Sequence, residues 1–550
     1  MEIFSYAPFG ASGIVIRVEV DIRRGIPGID ISGLAEGAVR EARERVRVGF
    51  RNSGCQFPLD RVLINLAPAG LRKDGAALDL PIALAVMSAT GLAPQGGALM
   101  VVGELELSGN VRAVRGVLAA VAAGIGEGIG DFIVPRENAR EAMILAKEKS
   151  GIRVAPVSTL REALHALVVR AETGALPAEK FSAPAGESGE SGGNIPAVGD
   201  FSEVRGQERY KRALEIAAAG GHNLLVFGPP GAGKTMLARR MSSIMAPLNV
   251  DEAVEVTRLC SLAGLFDGPG GEDFDLITRP PFRSPHHSAS AEGILGGGRT
   301  VRPGEISLAH LGVLFLDEAP EFRSHILQAL REPLEDQVIT ISRAEASVRL
   351  PAAFQLILAA NPCPCGRLGM RGTEADGTLN CFCSPEEVNR YWRRFGSALL
   401  DRIELRVPVL PPRLGEMTGP KGESSAAIAR RVKGAVEIQR LRLDKLFPPS
   451  GGEKPQGLSG AAPFERPRRN ARIPADLMER CCPLSERGEQ ALKTAVAKLA
   501  LSGRAYHGIL RVARTIADLE GQDSIGMDHI LEAVEHRRRG DDPYDILAEA

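Results

Sequence analysis

Eight residues, GPPGAGKT at 228–235, leave the surrounding chain little freedom in what it folds into. They follow an apolar run, NLLVF, and lead into a helix-forming one, MLARRM. G-x-x-x-x-G-K-[ST] between a buried strand and a helix is a phosphate-binding loop. Its glycines let successive backbone N–H groups curl toward an anion, and the helix start adds a favourable field. Gly228, Pro229, Pro230, Gly231, Ala232, Gly233, Lys234 and Thr235 are therefore the candidate nucleotide-binding residues. Lys234 would reach the β- and γ-phosphates of ATP, and Thr235 would offer a hydroxyl to Mg²⁺. A second motif, GVLFLDE at 312–318, has the form of a buried strand that ends in two carboxylates. Asp317 is placed to hold the Mg²⁺ shell and Glu318 to polarise an attacking water. A solvated acidic turn is the plain alternative for such a pair, and its company with the glycine loop argues against it.

At 550 residues the chain exceeds what one hydrophobic core supports. Two breaks rich in small polar residues, glycine and proline divide it: SAPAGESGESGG at 182–193 and FPPSGGEKPQGLSGAAPFERPRR at 447–469. The expected organisation is an N-terminal domain over 1–175, a linker over 176–200 and a nucleotide-binding core over 201–412. A connection over 413–472 and a helical C-terminal domain over 473–550 complete it. In the first domain, IVIRVEV at 14–20 alternates like a half-buried strand, and AVREARERVRVGFRNSG at 38–54 reads as an amphipathic helix stopped by Gly54. RVLINLAP and LMVVGELEL are further strand candidates, which makes this an α/β or α+β domain. The core alternates apolar strands with helices, the pattern of a parallel sheet covered on both faces, so the fold class is α/β.

The composition is 44% hydrophobic and 25% charged with a formal net charge of −1, so the chain is not a polycation. Contact with nucleic acid would have to come from a local basic stripe or from a pore built by several subunits. The opening MEIFSYAPFGASG has no basic n-region followed by a long apolar run, and no stretch of about 18 apolar residues occurs anywhere. Neither a signal peptide nor a membrane span is expected. Eight cysteines do not describe a disulfide scaffold, and reduced thiols in the cytoplasm are the expectation.

Four of those cysteines fall close together. Cys363, Cys365, Cys381 and Cys383 form two C-x-C pairs separated by the polar, glycine-rich GRLGMRGTEADGTLN. A thiolate tetrad binds Zn²⁺ and orders a loop that buries little. The usual pair spacing is C-x₂₋₄-C, so free thiols or a reversible disulfide stand beside zinc as readings.

The runs GQERYKRALEIAAAGGHNLLVFGPPGAGKTMLARRM, PGEISLAHLGVLFLDEAPEF and LREPLEDQVITISRA resemble the magnesium-chelatase-like branch of the AAA+ ATPases. Within it, the competence-related ComM/YifB family is the most similar, along nearly the whole chain. The resemblance implies an AAA+ parallel sheet with a helical lid. It implies that Asn361 acts as sensor 1, that Arg402 in LLDRIEL is an arginine finger reaching across a subunit boundary, and that Arg504 in LSGRAYHGILRVARTIADL contacts the γ-phosphate from the lid. Arg511 is the second choice for that last role. A finger acting in trans implies a homo-oligomer, a hexameric ring. Each of these arginines could instead serve a surface ion pair, worth about 0–1 kcal/mol. His286 and His287 in SPHHSAS fall in the insertion that marks the branch, either lining the ring or engaged in local hydrogen bonds. Adjacent side chains diverge on a helix or strand, which argues against a joint metal site there.

LRKDGAALDLPIALA and GELELSGNVRAVRGVLAAVAAGI resemble the proteolytic domain of Lon proteases, which needs a serine activated by a lysine. Ala77 stands at the serine position and Leu118 aligns with the lysine, so a Lon-like fold without peptidase chemistry is expected. Lys73 and Asp74 could form an accidental dyad, but no hydroxyl lies suitably near in sequence. For function, the family resemblance implies an ATP-dependent DNA helicase that promotes branch migration in homologous recombination and natural transformation. Single-stranded or branched DNA would be its partner. Arg343 and Arg349 of VITISRAEASVRL are the candidate phosphate contacts, or else solvated hairpin residues. An ATPase subunit of a magnesium chelatase, or an AAA+ chaperone or unfoldase without DNA, are the alternatives.

Overall fold

The computed structural model describes residues 2–177, 199–265, 276–446 and 467–538, together with Tyr544. Within those spans residues 12, 34–35, 69–72, 74–75, 95, 149–150, 299–300, 343–346, 369–380, 413 and 500 are outside the description. The expected breaks at 182–193 and, but for its last three residues, 447–469 lie outside it, as do Asp74 and Arg343.

The first 157 residues build a seven-stranded mixed sheet. Its strands are β1 (Ile3–Ala7), β2 (Ile14–Arg23), β3 (Gly28–Ser32), β4 (Arg61–Ala67), β5 (Leu99–Val101), β8 (Asp131–Pro135) and β9 (Arg153–Val157), in the order β3-β4-β2-β1-β5-β8-β9. β6 (Glu104–Leu105) and β7 (Val111–Arg112) pair separately as a two-stranded ribbon. The run LMVVGELEL, read as one strand, is thus two: β5 stays in the sheet and β6 leaves it to meet β7. Alternation in β2 works as expected, with Ile16 and Val18 buried and Arg17 and Glu19 outside the core. Helices Glu36–Asn52 and Asp79–Ala89 cover one part of this sheet, and Val117–Gly126 and Ala139–Glu148 cover another.

The second sheet is parallel throughout. β10 (Leu224–Phe227), β11 (Phe282–Arg283), β12 (Val313–Leu316), β15 (Gln355–Ala360) and β16 (Leu405–Pro408) run in the order β11-β12-β15-β10-β16. Every residue of β10, β12 and β15 is buried, as expected of strands covered on both faces. Between β12 and β15 the chain makes an antiparallel hairpin of β13 (Val338–Ser342) and β14 (Ser347–Pro351).

The two sheets touch. Phe9 and Ala11, from the turn after β1, pack in the core that contains Val348 of β14. A methyl group on Gly10 would lie 3.1 Å from the Arg349 carbonyl oxygen, so the two backbones are nearly in contact. Leu262 of helix Val250–Ala263 sits in the core around Leu118, and Ser261 Oγ donates to Glu141.

Helices Ser425–Leu446, Glu486–Leu499, Gly503–Leu519 and Met527–Arg538 form the C-terminal part and share one core with a face of the parallel sheet. Polar ties reinforce this packing. His222, just before β10, bonds Thr515 Oγ1 at 2.8 Å through Nε2. Asn470 Nδ2 donates to Asp518 at 2.7 Å, while Arg442 and Arg514 both pair with the Asp518 carboxylate. Asp518 and Arg514 side chains are 0% and 1% exposed. Removing one partner of a buried ion pair strands the other, which costs about 3–5 kcal/mol. Asp518→Ala is therefore expected to lower hydrogen-exchange protection of helix Gly503–Leu519 by about that amount, with the N-terminal sheet unchanged. Equal protection in both proteins would show that the network contributes nothing.

Candidate active site

Parallel strands deliver their C-terminal ends to one edge of a sheet, and here three of those ends lead into the residues of the sequence motifs. Gly228 follows β10, Asp317 follows β12 and Asn361 follows β15. The Phe227↔Ala360 pairing sets Gly228 beside Asn361, and Gly228 N donates to the Ala360 carbonyl at 3.2 Å. Gly228 must be glycine for another reason: a methyl there would come within 1.9 Å of the Val409 carbonyl oxygen. Gly231 and Gly233 adopt φ of +77° and +87°, the left-handed region that turns the loop into helix Lys234–Arg240.

Lys234 Nζ donates to the carbonyls of Gly228 at 2.6 Å and Pro229 at 3.0 Å, and to Asn361 Oδ1 at 3.2 Å. Burial pushes this ammonium down to about 8, against the opposing pull of Asp317 and Glu318. Thr235 Oγ1 donates to Asp317 Oδ2 at 2.7 Å, so two hard oxygen donors already face each other. Glu318 is exposed and holds φ +48°, an uncommon conformation for a residue with a Cβ. Its N–H donates to Asp317 Oδ1 at 3.0 Å, which ties the two carboxylates into one turn.

A residue the sequence reading did not assign to this site lies close to it. His287 Nδ1 is 3.9 Å from Glu318 Oε2. The sheet register accounts for that. Arg283 of β11 pairs with Leu314 of β12, and four residues further along each chain are His287 and Glu318. The rings of His286 and His287 lie 4.1 Å apart at 34°, so these neighbours do not diverge as on a strand, because the chain has left β11 and entered a turn.

Asn361 thus joins Lys234, while the two candidate arginines meet elsewhere. Arg402 and Arg504 both donate to Glu335 Oε1 at 2.5 Å, and Arg504 also reaches Asp401 Oδ2 at 3.3 Å. Glu335 was not singled out in the sequence, since an acidic residue in a charged helix carries no signal of its own. Arg537 of the last long helix donates to Asp401 Oδ1 at 2.8 Å and fixes the same segment. Arg511 is spent on the Ile473 carbonyl, which it reaches at 2.6 Å. Arg349 is exposed on β14.

In the N-terminal sheet Ala77 lies in a short turn, Ala76–Leu78, and Leu118 is buried in helix Val117–Gly126. Neither position offers a nucleophile or a base. Lys73 is buried and directs its ammonium at the carbonyls of Pro68, Leu66 and Gly33, at 2.5, 3.0 and 3.2 Å.

The four clustered cysteines converge, with Sγ atoms all within 4.8 Å of one another. Among the described residues no helix is long and apolar enough to cross a membrane.

Three family profiles match the chain. One described as magnesium chelatase, subunit ChlI, covers residues 200–434. Subunit ChlI of Mg-chelatase covers 18–138, and magnesium chelatase, subunit ChlI C-terminal, covers 422–537. The uncharacterized protein YifB of Salmonella typhimurium is 40% identical over 541 residues, 96% of each chain. The competence protein ComM of Haemophilus influenzae is 38% identical over 539 residues, 97% of each chain. The magnesium-chelatase 38 kDa subunit of Rhodobacter capsulatus is 26% identical over 371 residues, 64% of this chain and 91% of that one.

Lys234→Ala is expected to abolish productive ATP binding, and Glu318→Gln to permit binding but block turnover. Near-normal hydrolysis by either purified variant would overturn the assignment. The depressed Lys234 also gives a pH signature. Below about 8 the free protein already carries the charge that phosphates need, and above it binding must take up a proton. ATP affinity should be flat toward neutral pH and fall by about tenfold per pH unit on the alkaline side. Calorimetry in two buffers of different ionisation enthalpy would detect the proton uptake at pH 9. Its absence there would refute the shift.

Proposed function

The chain belongs to the ComM/YifB family of magnesium-chelatase-like AAA+ ATPases, and from that premise we propose that it is an ATP-driven DNA motor, a hexameric helicase that promotes branch migration during homologous recombination. The observation that carries the ATPase half is the edge where Lys234, Thr235, Asp317, Glu318 and Asn361 meet. The DNA half rests on the likeness to the competence protein and on the hairpin β13–β14, whose arginine Arg349 is exposed.

In this reading Lys234 gives up its carbonyl partners to the β- and γ-phosphates. Glu318 orients a water toward the γ-phosphorus and takes its proton, with Asn361 fixing the other side of that water. Thr235 and Asp317 fit Mg²⁺ and would hold it; when bound, it neutralises charge developing on the phosphates. Arg402 and Arg504 share Glu335, so a neighbouring subunit's nucleotide would meet them as one positive cluster. ADP and phosphate leave, and the hairpins lining the ring move along DNA. Such a motor works in the cytoplasm. The N-terminal domain, Lon-like but with Ala77 and Leu118 in place of the dyad, serves structure, ring assembly or substrate contact rather than proteolysis.

A ring offers one polyanion many weak basic contacts at once, so binding should be largely sequence-independent and should weaken steeply with salt. ATP turnover is expected to rise on adding branched or single-stranded DNA at low salt. Mixing Arg402→Ala with Lys234→Ala subunits should recover part of the activity each lacks, because an intact phosphate loop then meets an intact finger. If DNA changes neither turnover nor assembly, while a porphyrin and a partner subunit do, the chelatase reading takes its place. Stimulation by unfolded protein alone would favour the unfoldase.

A further inference from the structure

We propose that Cys363, Cys365, Cys381 and Cys383 hold one Zn²⁺ as a structural clip, and that this clip positions Asn361 and Pro230 for ATP turnover. The metal half stands on the thiols alone; the positioning half rests on the ATPase reading.

The geometry is that of a tetrahedral thiolate site. Zn–S bonds of about 2.3 Å place sulfurs roughly 3.8 Å apart. Here Cys363 Sγ lies 3.3 Å from Cys365 Sγ and 3.6 Å from Cys381 Sγ, and Cys365 and Cys381 are also 3.6 Å apart. All four Sγ atoms fall within a 4.8 Å span. A disulfide needs about 2.05 Å, and pairing two thiols would leave two others crowded against it. Four sulfurs with no oxygen donor suit a soft or borderline cation and exclude Mg²⁺ or Ca²⁺.

The local chain is arranged around those sulfurs. In the first C-x-C Cys363 is buried while Pro364 and Cys365 are exposed; in the second, Phe382 is 78% exposed between the half-buried Cys381 and Cys383. A large apolar ring left in water while its neighbours on both sides turn inward fits a backbone that is held by the cysteines. Backbone hydrogen bonds from Leu368 and Arg367 reach Cys363 and Cys365, the kind of donor that supports a metal-bound thiolate.

Two further contacts link the cluster to the nucleotide loop. Cys363 is two residues beyond Asn361. Gly366 turns back with φ +77°, donates its N–H to the Cys363 carbonyl at 3.0 Å, and packs so closely that an added methyl would lie 2.8 Å from Pro230 Cδ. On the other side Cys383 leads into helix Pro385–Trp392, whose start is fixed by a capping box of Ser384 and Glu387. Trp392 at its end donates to the Pro362 carbonyl at 3.0 Å and meets Phe227 edge-on at 5.4 Å. Phe227 is the last residue before the glycine loop. An ion joining the two C-x-C pairs therefore closes a circuit from β15 through the cysteines and this helix to β10. Pro230 and Asn361 both sit on that circuit.

The test begins with protein purified under reducing conditions without chelator. Elemental analysis should find about one zinc per chain, released stoichiometrically by an organomercurial and detected with a metallochromic dye. Cys363→Ser with Cys381→Ser should lose the metal, and Cys55→Ser, in the N-terminal sheet domain, should keep it. Because the double variant could misfold, stripped wild-type protein provides the second measurement. Its kcat for ATP should fall by about 10–100-fold, with a smaller change in the affinity for a fluorescent ATP analogue, and added Zn²⁺ should restore it. A metal-free preparation with full turnover, or disulfide-linked pairs found by mass spectrometry in the reduced, active protein, would overturn the metal site. Zinc that can be removed and replaced with no change in kcat would overturn the positioning role. Stoichiometric zinc in a protein that never hydrolyses ATP would refute the ATPase reading and leave the metal site standing.

Discussion

Parallel pairing of β10 between β15 and β16 is the constraint on which the site depends. A parallel strand cannot pair locally, so each neighbour is brought in by a long crossover, and the crossovers all set out from the same edge. Side chains that are far apart in sequence then fall within hydrogen-bond reach without a single flexible loop having to find its place. Lys234 and Asn361 are 127 residues apart and Thr235 and Asp317 are 82 apart, yet both pairs are bonded. The glycine loop has an equally tight fit behind it, where the Val409 carbonyl leaves no room for a side chain at Gly228.

At the opposite edge of the sheet the chain is tied to the helices that follow. Gln355 donates to the His222 carbonyl, Leu356 N donates to Asn223 Oδ1, and His222 bonds Thr515. Buried polar groups are costly unless satisfied, and here they satisfy one another across elements that are otherwise joined by apolar packing. Burial holds His222 down to about 3, so it stays neutral and its ring remains a hydrogen-bond partner rather than a charge. The helical part is thus continuous with the nucleotide core, and Arg402, Arg504 and Arg537 gather along their seam on Glu335 and Asp401.

Much of this was legible in the residues. The glycine loop and the LFLDE strand end have short-range patterns whose physics is local, and buried strands covered on both faces announce themselves as apolar runs. The cysteine pairs were visible, but not their closure, since C-x-C spacing does not say whether the intervening chain returns. What could not be read was whatever depends on register or on distant packing. His287 reaches Glu318 only because β11 lies beside β12 in one alignment, and a single residue of slip would turn it away. Glu335 collects two arginines from segments 67 and 169 residues away, which no local pattern announces. LMVVGELEL misled because its apolar content runs through the point where β6 leaves the sheet.

The contact between Gly10 and β14 has a mechanical consequence. A two-stranded ribbon projecting from a domain bends easily at its root, as a beam does at an unsupported joint. Here the support sits toward the other end of the ribbon: Phe9 and Ala11 share a core with Val348, which pairs with Ile341, whereas the root is the pair Val338 and Pro351. A load on the ribbon is therefore divided between two sheets that, among the described residues, no strand pairing connects. The ribbon is thus a beam held at two points, its root in the second domain and its outer half against the first, so any displacement of one domain relative to the other must bend it.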